Sequence, residues 1–385
     1  MRDAIVVGGG PVGLATAIAL RARGMSVALF DRATPPIDKA CGEGVMPHGV
    51  AALRRLGILP DEECGRPFVG VRYVEPLPAG GALVAEAHFP EGTGLGIRRL
   101  QLHLALARRA EQTGVELHWG EAVNGVAHRG IETGAGRLEA RWIVGADGLH
   151  SKVRRWAGLE GKPYRGRRFG VRRHYAVDAW TDLVEVHWGD RADAYVTPVC
   201  DGVVGVAFLA PPGRLRCDEL LRGFPSLAAR VAGARPVSEE RGAGPFRQRV
   251  KGLVAGNVVL VGDASGYFDA ITGEGLSLGF QQAEALADAL AAEDPARYVA
   301  AHARLKREPY RMIHLLLLLE RHPLLRRRAI AALAAEPQVF QRFLAINDGQ
   351  ATLRSLGLGN AARFAWGMAA AGARAEAAAT RRSTS

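Results

Sequence analysis

Five short stretches of the chain carry residue types whose spacing could do chemistry. The first is "GGGPVG", which places Gly8, Gly10 and Gly13 between an apolar run and a stretch with helical spacing. A tight turn needs the first glycine, an anionic group can approach the backbone at the second, and close packing of helix on strand wants the third. The amino terminus of that helix leaves N–H groups free to meet a phosphate. Asp31 stands eighteen residues past Gly13, at the end of the next apolar run, where a carboxylate can accept ribose hydroxyls. The pattern predicts a dinucleotide site; its plainer alternative is a glycine-rich connector with a capping aspartate. The second stretch, "KACGEG", sets Cys41 two residues before Glu43. A thiol and a carboxylate so close could hold or move a proton, or Cys41 could simply pack and Glu43 be solvated. The third and fourth are Asp147-Gly148 in "GADGLHSKVRR" and Gly262-Asp263 in "LVGDASGYFDAITGEG". Taken locally, these are a β-turn and a helix N-cap. The fifth is Gly273-Glu274-Gly275, where glycines let the backbone approach a planar ring and a helix amino terminus can stabilise negative charge on it.

The elements that must position these residues can be followed along the chain. "AIVVGGGPVGLATAIALRARGMSVALFDR" is a strand, glycine turn, helix and second strand, the opening of a doubly wound parallel sheet. Short β runs follow from Phe68 to Phe89, and "RRLQLHLALARRAEQTGVELHWG" supplies a helix and a return strand. Residues 166 to 250 alternate as short strands, among them "DLVEVHWG", "AYVTPV" and "GVVGVAFLA", with one helical stretch from Cys217 to Val231. A strand-glycine-helix passage returns at "NVVLVGDASG", and beyond about residue 298 the pattern is helical, ending in a tail expected to fray. No internal repeat is evident.

At 385 residues the chain suits two domains with a large buried core. The net charge of +11 would invite nucleic acid, but the basic residues are dispersed and only five are lysine, so no nucleic-acid partner is expected. Cys41, Cys64, Cys200 and Cys217 show neither CxxC spacing nor neighbouring histidine pairs. No metal site or disulfide framework is therefore expected, and a reducing cytoplasm is the default. The amino terminus enters a strand at once, without a basic-then-apolar leader.

Taken in order, the motifs at Gly8, Asp147 and Asp263 resemble the flavin-dependent hydroxylase superfamily. Its prototype is p-hydroxybenzoate hydroxylase, and it includes geranylgeranyl reductases and flavin halogenases. The resemblance runs from residue 1 to about 295. It implies an α/β fold class: a Rossmann-like FAD-binding domain of the GR2 type, a parallel sheet with a β-meander, joined to a mostly antiparallel β-sheet substrate domain and a helical C-terminus. Expected boundaries are 1–67, 97–165 and 246–298 for a discontinuous FAD-binding domain, 68–96 and 166–245 for the substrate domain, and 299–385 for the helical region.

The same resemblance implies residue roles. Gly8, Gly10, Gly13 and Asp31 would bind FAD, with Arg99, or its neighbour Arg98, reaching it from the helix in "RRLQL". Asp147 and Gly148 would lie near the pyrophosphate and serve both FAD and NAD(P)H. Gly262 and Asp263 would place a carboxylate on the ribityl side, and Gly273, Glu274 and Gly275 would meet the reduced ring. "KACGEG" and "DAITGEG" are closest to the geranylgeranyl reductase branch, where a cysteine followed by glycine lies beside the isoalloxazine. Cys41 and Glu43 are then catalytic candidates; for aromatic hydroxylation Tyr195 and His187 are candidates to orient a phenol, His187 against the plainer reading of an ordinary sheet position. The branch's Tyr-x-Trp-x-Phe-Pro stretch is reduced here to "DAYVTPV", keeping Tyr195 and Pro198, and the Trp-x-Trp pair of halogenases is absent.

The activity expected first is a monooxygenase that uses FAD, NADH or NADPH, and O2 to hydroxylate a hydrophobic aromatic, quinol or polyketide through a flavin hydroperoxide. The alternatives are an ene-reductase of isoprenoid double bonds, in which Cys41 assists protonation, or a non-redox flavin-dependent cyclase. The basic, leucine-rich helices from Pro309 to Phe343 suit a hydrophobic substrate. Their "LLRRR" run would suit a membrane interface, against the plainer reading that such helices cap a core. No obligate protein partner is expected.

Overall fold

Consecutive apolar residues suit a strand covered on both faces, and Ala4 to Val7 form the buried middle of the first sheet. The structure, a computed structural model, describes residues 1–58, 65–77, 80–163, 168–213 and 215–383, with side-chain surroundings in the last helix described as far as residue 371. Cys64 and the boundary expected at 165/166 lie outside the described residues.

Among the described residues the strands, numbered in chain order, form three sheets. In the first, β1 (Arg2–Val7) lies between β2 (Val27–Asp31) and β11 (Gly136–Gly145). β8 (Glu116–Trp119) adds beyond β2 and β18 (Val258–Leu260) beyond β11, all parallel. β17 (Val254–Ala255) closes one edge antiparallel, and β9 (Val123–Ala127) and β10 (Gly130–Thr133) run as a meander into the first half of β11. The helices α1 (Pro11–Arg21), α3 (Arg99–Gln112) and α7 (Gly275–Ala291) bury Leu14, Ile18, Leu102, Leu106, Phe280 and Leu286 against one face. Ile5, Phe30, Ile131, Ile143 and Leu260 fill the other. The chain leaves β1 toward β2 and leaves β11 toward β18 on the opposite side, so a crevice opens past the carboxyl ends of β1 and β11.

The second sheet runs β16 (Arg241–Ala243), β12 (Phe169–Ala176), β15 (Val203–Ala210), β14 (Asp193–Cys200), β13 (Leu183–His187), β5 (Gly70–Pro76), β6 (Ala82–His88). Its pairs are antiparallel except β13 with β5. Helices α5 (Cys217–Leu221) and α6 (Pro225–Arg230) cover one face through Cys217, Phe224 and Leu227. The single helix expected over Cys217–Val231 is broken there, because Pro225 lacks an N–H and starts a new helix at its first position. Over Trp188 and Val186 lies a roof of α8 (Pro295–Arg321), α9 (Pro323–Ala335) and α10 (Pro337–Asn347), each also opened by proline. The backbone of α11 (Gly357–Ser383) packs along α9 and stays helical to Ser383. Arg326 of α9 ties the roof down: its Nε donates to the buried Glu75 carboxylate of β5 at 2.6 Å.

A small third sheet of β3 (Gly44–Val45), β7 (Gly94–Ile97) and β4 (Gly65–Phe68) joins the two bodies. There a Cβ on Gly96 would stand 1.8 Å from the carbonyl oxygen of Pro198 on β14, so the strands meet backbone to backbone. Two further helices, α2 (Pro47–Arg55) and α4 (Lys152–Trp156), follow the "KACGEG" and "GADG" stretches.

Candidate functional site

Gly8 turns out of β1 with φ +112°, and a Cβ there would lie 2.5 Å from the Ala146 carbonyl oxygen at the end of β11. Only glycine lets the two strand ends approach so closely. A Cβ on Gly13 would lie 1.9 Å from the Gly8 oxygen, so α1 packs directly on the turn. Gly10 faces open space instead, with the nearest atom an Arg99 guanidinium nitrogen at 3.7 Å. It begins α1 without a side-chain cap, leaving the first N–H groups of the helix toward the crevice.

The crevice is one end of a continuous cavity of about 980 Å³. Its polar part is walled by Gly8, Gly10, Asp31, Arg99, Asp147 and Asp263. Asp31 accepts the N–H of Gly9 at 2.7 Å and of Ala33 at 2.8 Å, which orders the glycine turn while its carboxylate still faces the cavity. Asp147 works as a cap: it accepts the Ser151 hydroxyl at 2.5 Å and the N–H of Lys152 at 2.6 Å, holding the Asp147-Gly148 turn onto α4. The Asp263 carboxylate accepts no hydrogen bond among the described residues. Burial raises its carboxyl above the ordinary range, against the pull of Arg99 and Lys39. Arg99 Nε is likewise buried without a partner. Of the two arginines, Arg99 lines the cavity and Arg98 does not. An unpartnered carboxylate, an unpartnered guanidinium and an open helix terminus form the donor and acceptor set that a pyrophosphate with a hydroxylated chain would satisfy, so these residues fit FAD.

Beyond Asp263 the loops "KACGEG" and "TGEG" face each other across the cavity, which Cys41, Gly42, Gly273 and Gly275 line. The substrate sheet holds both loops. Tyr195 and Thr197 are two apart on β14 and share one side; Tyr195 donates to the Ile271 carbonyl at 3.0 Å, and Thr197 to the Gly42 carbonyl at 2.9 Å. Glu43 has left-handed φ of +60° and is only 2% exposed. One of its oxygens accepts the Arg99 N–H at 2.8 Å; the other pairs with His174 Nε2 at 2.5 Å, and Arg172 lies 3.6 Å from the first. The solvated alternative for Glu43 is thereby overturned: it is a strut between α3 and β12. Burial pushes the Cys41 thiol up, against the pull of Arg99, so the sulfur keeps its proton, and it accepts the Glu43 N–H at 3.3 Å.

Glu274 departs from its expected place. Its backbone caps α7 beside the cavity, but its side chain turns away, accepting from Asn347 at 2.8 Å and lying 3.2 Å from His48 Nε2. Asp348 contacts the other ring nitrogen of His48. Burial opposes charge on this ring, yet the two carboxylates outweigh it and hold His48 up to about 10. The ligand atoms of these three residues all lie within 4.8 Å of one another, separations that suit a metal-ligand set and equally an imidazolium between two carboxylates. His187 also stays out of the cavity, paired with Glu185 at 2.9 Å. None of Cys41, Cys200 and Cys217 is in a disulfide.

The far part of the cavity is apolar, walled by Phe68 of β4, Val186 of β13 with the following Trp188, and Leu316, Leu333 and Phe340 of the roof. Residues 1–190 match the family model described as FAD binding domain. The chain is an FAD-dependent oxidoreductase that resembles the p-hydroxybenzoate hydroxylase superfamily. This flavoprotein is 28% identical over 330 residues to menaquinone reductase of Mycobacterium tuberculosis, covering 77% of this chain and 78% of the relative. It is 26% identical over 299 residues to digeranylgeranylglycerophospholipid reductase 2 of Methanosphaera stadtmanae, with 71% and 74% covered. It is 29% identical over 320 residues to para-nitrophenol 4-monooxygenase of a Pseudomonas species, with 75% and 77% covered. The flavoprotein/dehydrogenase structure from Cytophaga hutchinsonii shares the fold at a TM-score of 0.76 and 18% identity, over 90% of this chain and 92% of that one.

Sequence reasoning missed Lys39, Arg172 and His174. Lys39 lines the cavity near Asp31 and Asp263, and burial, then Arg99, lowers its ammonium. Arg172 and His174 stand two apart on β12, so they share a face, but Arg173 between them hides that alternation in the sequence.

Proposed function

We propose that this flavoprotein saturates a carbon–carbon double bond in a long, apolar, polyprenyl-type substrate, with NADH or NADPH as the electron donor. The observation that carries this reading is Cys41: a thiol held protonated where the glycine-lined polar cleft meets the apolar chamber. Bound and reduced, FAD supplies a hydride. The chain supplies the rest. The apolar walls hold an extended hydrocarbon and exclude water, Cys41 Sγ–H stands as proton donor for the second carbon, and Glu43, Thr197 and Tyr195 fix the two loops that face the reacting bond. The balance is one hydride and one proton added across the double bond, leaving a thiolate that takes its proton back from solvent. The two reductase relatives support this class over the hydroxylation that the sequence ranks first. The para-nitrophenol 4-monooxygenase relative keeps hydroxylation as the second reading.

The test is an anaerobic single turnover. Protein reduced by NAD(P)H is mixed with a polyprenyl quinone, and the expected result is reoxidised flavin with a product that still carries two more hydrogens, in its prenyl chain, after its ring has been reoxidised in air. NAD(P)H-dependent oxygen uptake with an oxygenated product, and no anaerobic reoxidation, would replace reduction by hydroxylation. Product formed without electron consumption would mark a cyclase.

A further inference from the structure

We infer that the outer side of the α8–α9 corner and of α11 is a docking surface for an anionic lipid bilayer, through which an apolar substrate enters the cavity; only the entry route rests on the reductase reading. Leu318 and Leu325 line the cavity from α8 and α9, and Phe364 and Met368 line it from α11. Leu318 is nevertheless 46% exposed, so the apolar wall meets solvent at this corner. Beside it Leu324 is 73% exposed, and along α11 Leu358 is 91% and Trp366 77% exposed. Trp366 is two residues from both Phe364 and Met368, which places it on the side of the helix away from the cavity. Large apolar side chains are seldom so bare on a surface that meets only water.

Charge points to the occupant. Helix α9 and the described side chains of α11 hold no carboxylate, while Arg321, Arg354 and Arg363 are exposed and unpaired among the described residues. Arg326 and Arg327 of "LLRRR" are not the contact, since Arg326 is buried on Glu75 and Arg327 leans on the same carboxylate. Exposed leucine and tryptophan interspersed with arginine is the pattern of an element that seats its apolar side chains among acyl chains and its cations among anionic headgroups. Among the described residues no helix is long and apolar enough to cross a membrane. The cavity mouth and this surface share helices, which gives a hydrocarbon chain a path from lipid to chamber without crossing water.

The full-length, FAD-loaded protein is floated with phosphatidylglycerol/phosphatidylcholine vesicles and with pure phosphatidylcholine vesicles. It should float with the anionic vesicles and lose binding on addition of salt. Arg354→Ala and Arg363→Ala should each weaken binding roughly fivefold, and the double variant Leu324→Glu/Trp366→Glu about tenfold or more. Flavin absorbance confirms that each variant folds. Turnover of detergent-solubilised substrate should be unchanged in these variants while turnover of vesicle-embedded substrate falls. No flotation, or equal flotation of wild type and the double variant, overturns the proposal, as does a dimer in solution that the double variant dissociates without any vesicle binding. Flotation without turnover in detergent would remove the reductase reading and leave the docking surface standing.

Discussion

Cys41 and Asp263 carry the sharpest consequences of single side chains. Cys41→Ala should keep FAD, because the glycine turn and Asp263 remain, but lose about 10²- to 10⁴-fold in anaerobic single turnover as the proton donor goes; an unchanged rate would take Cys41 out of the mechanism. Asp263→Ala should weaken FAD binding by about 1.5–3 kcal/mol, roughly ten- to a hundredfold, read as flavin lost on dilution. Full yellow occupancy after purification would contradict that placement. The glycine turn at Gly8, Gly10 and Gly13 and the place of Asp31 at the end of β2 were legible because both follow from local spacing on one β-α-β unit. Glu43 was legible as a residue but not as a strut, since His174 lies 131 positions away and only the folded chain brings the two together.

Elements hold these side chains through close backbone approaches and buried polar contacts. Gly13→Ala would drive a methyl group into the Gly8 carbonyl, and the resulting shift of α1 should cost about 1–3 kcal/mol and release FAD, measured by denaturant unfolding and flavin fluorescence. The turn that carries Asp263 is buttressed from α8, where His302 Nε2 meets the Ser265 hydroxyl at 2.9 Å. Burial, with Lys306 adding to it, lowers His302 to about 3 from its ordinary 6.5. Between those values the unfolded chain binds a proton that the folded chain refuses, so stability present above pH 6.5 is lost as pH falls. His302→Gln should flatten the decline in unfolding free energy over that range, by up to about 1.4 kcal/mol per pH unit. The motif "TGEG" announced a helix start beside a ring, but not that Glu274 would spend its side chain on His48 and Asn347. Those partners come from α2 and the end of α10, and nothing in the local sequence names them.

At the scale of the molecule, the sheets and roof enclose one cavity, and the Glu75–Arg326 pair is the polar bolt between them. Glu75→Ala leaves a buried guanidinium without its partner and should cost about 3–5 kcal/mol, seen as a lower Tm with the flavin site otherwise intact. The parallel sheet followed from apolar runs and glycine punctuation, its meander only from the family resemblance, and the antiparallel sheet from alternation in "DLVEVHWG" and "GVVGVAFLA". What alternation does not reveal is which face of that sheet becomes the chamber. That choice depends on where α8 to α10 return, far later in the chain. Cys41 sits at the meeting of both bodies with its proton retained. Peroxide and iodoacetamide attack thiolates, so this sulfur should be labelled at neutral pH more slowly than glutathione, and the enzyme should tolerate oxidative stress that disables low-pKa cysteine enzymes.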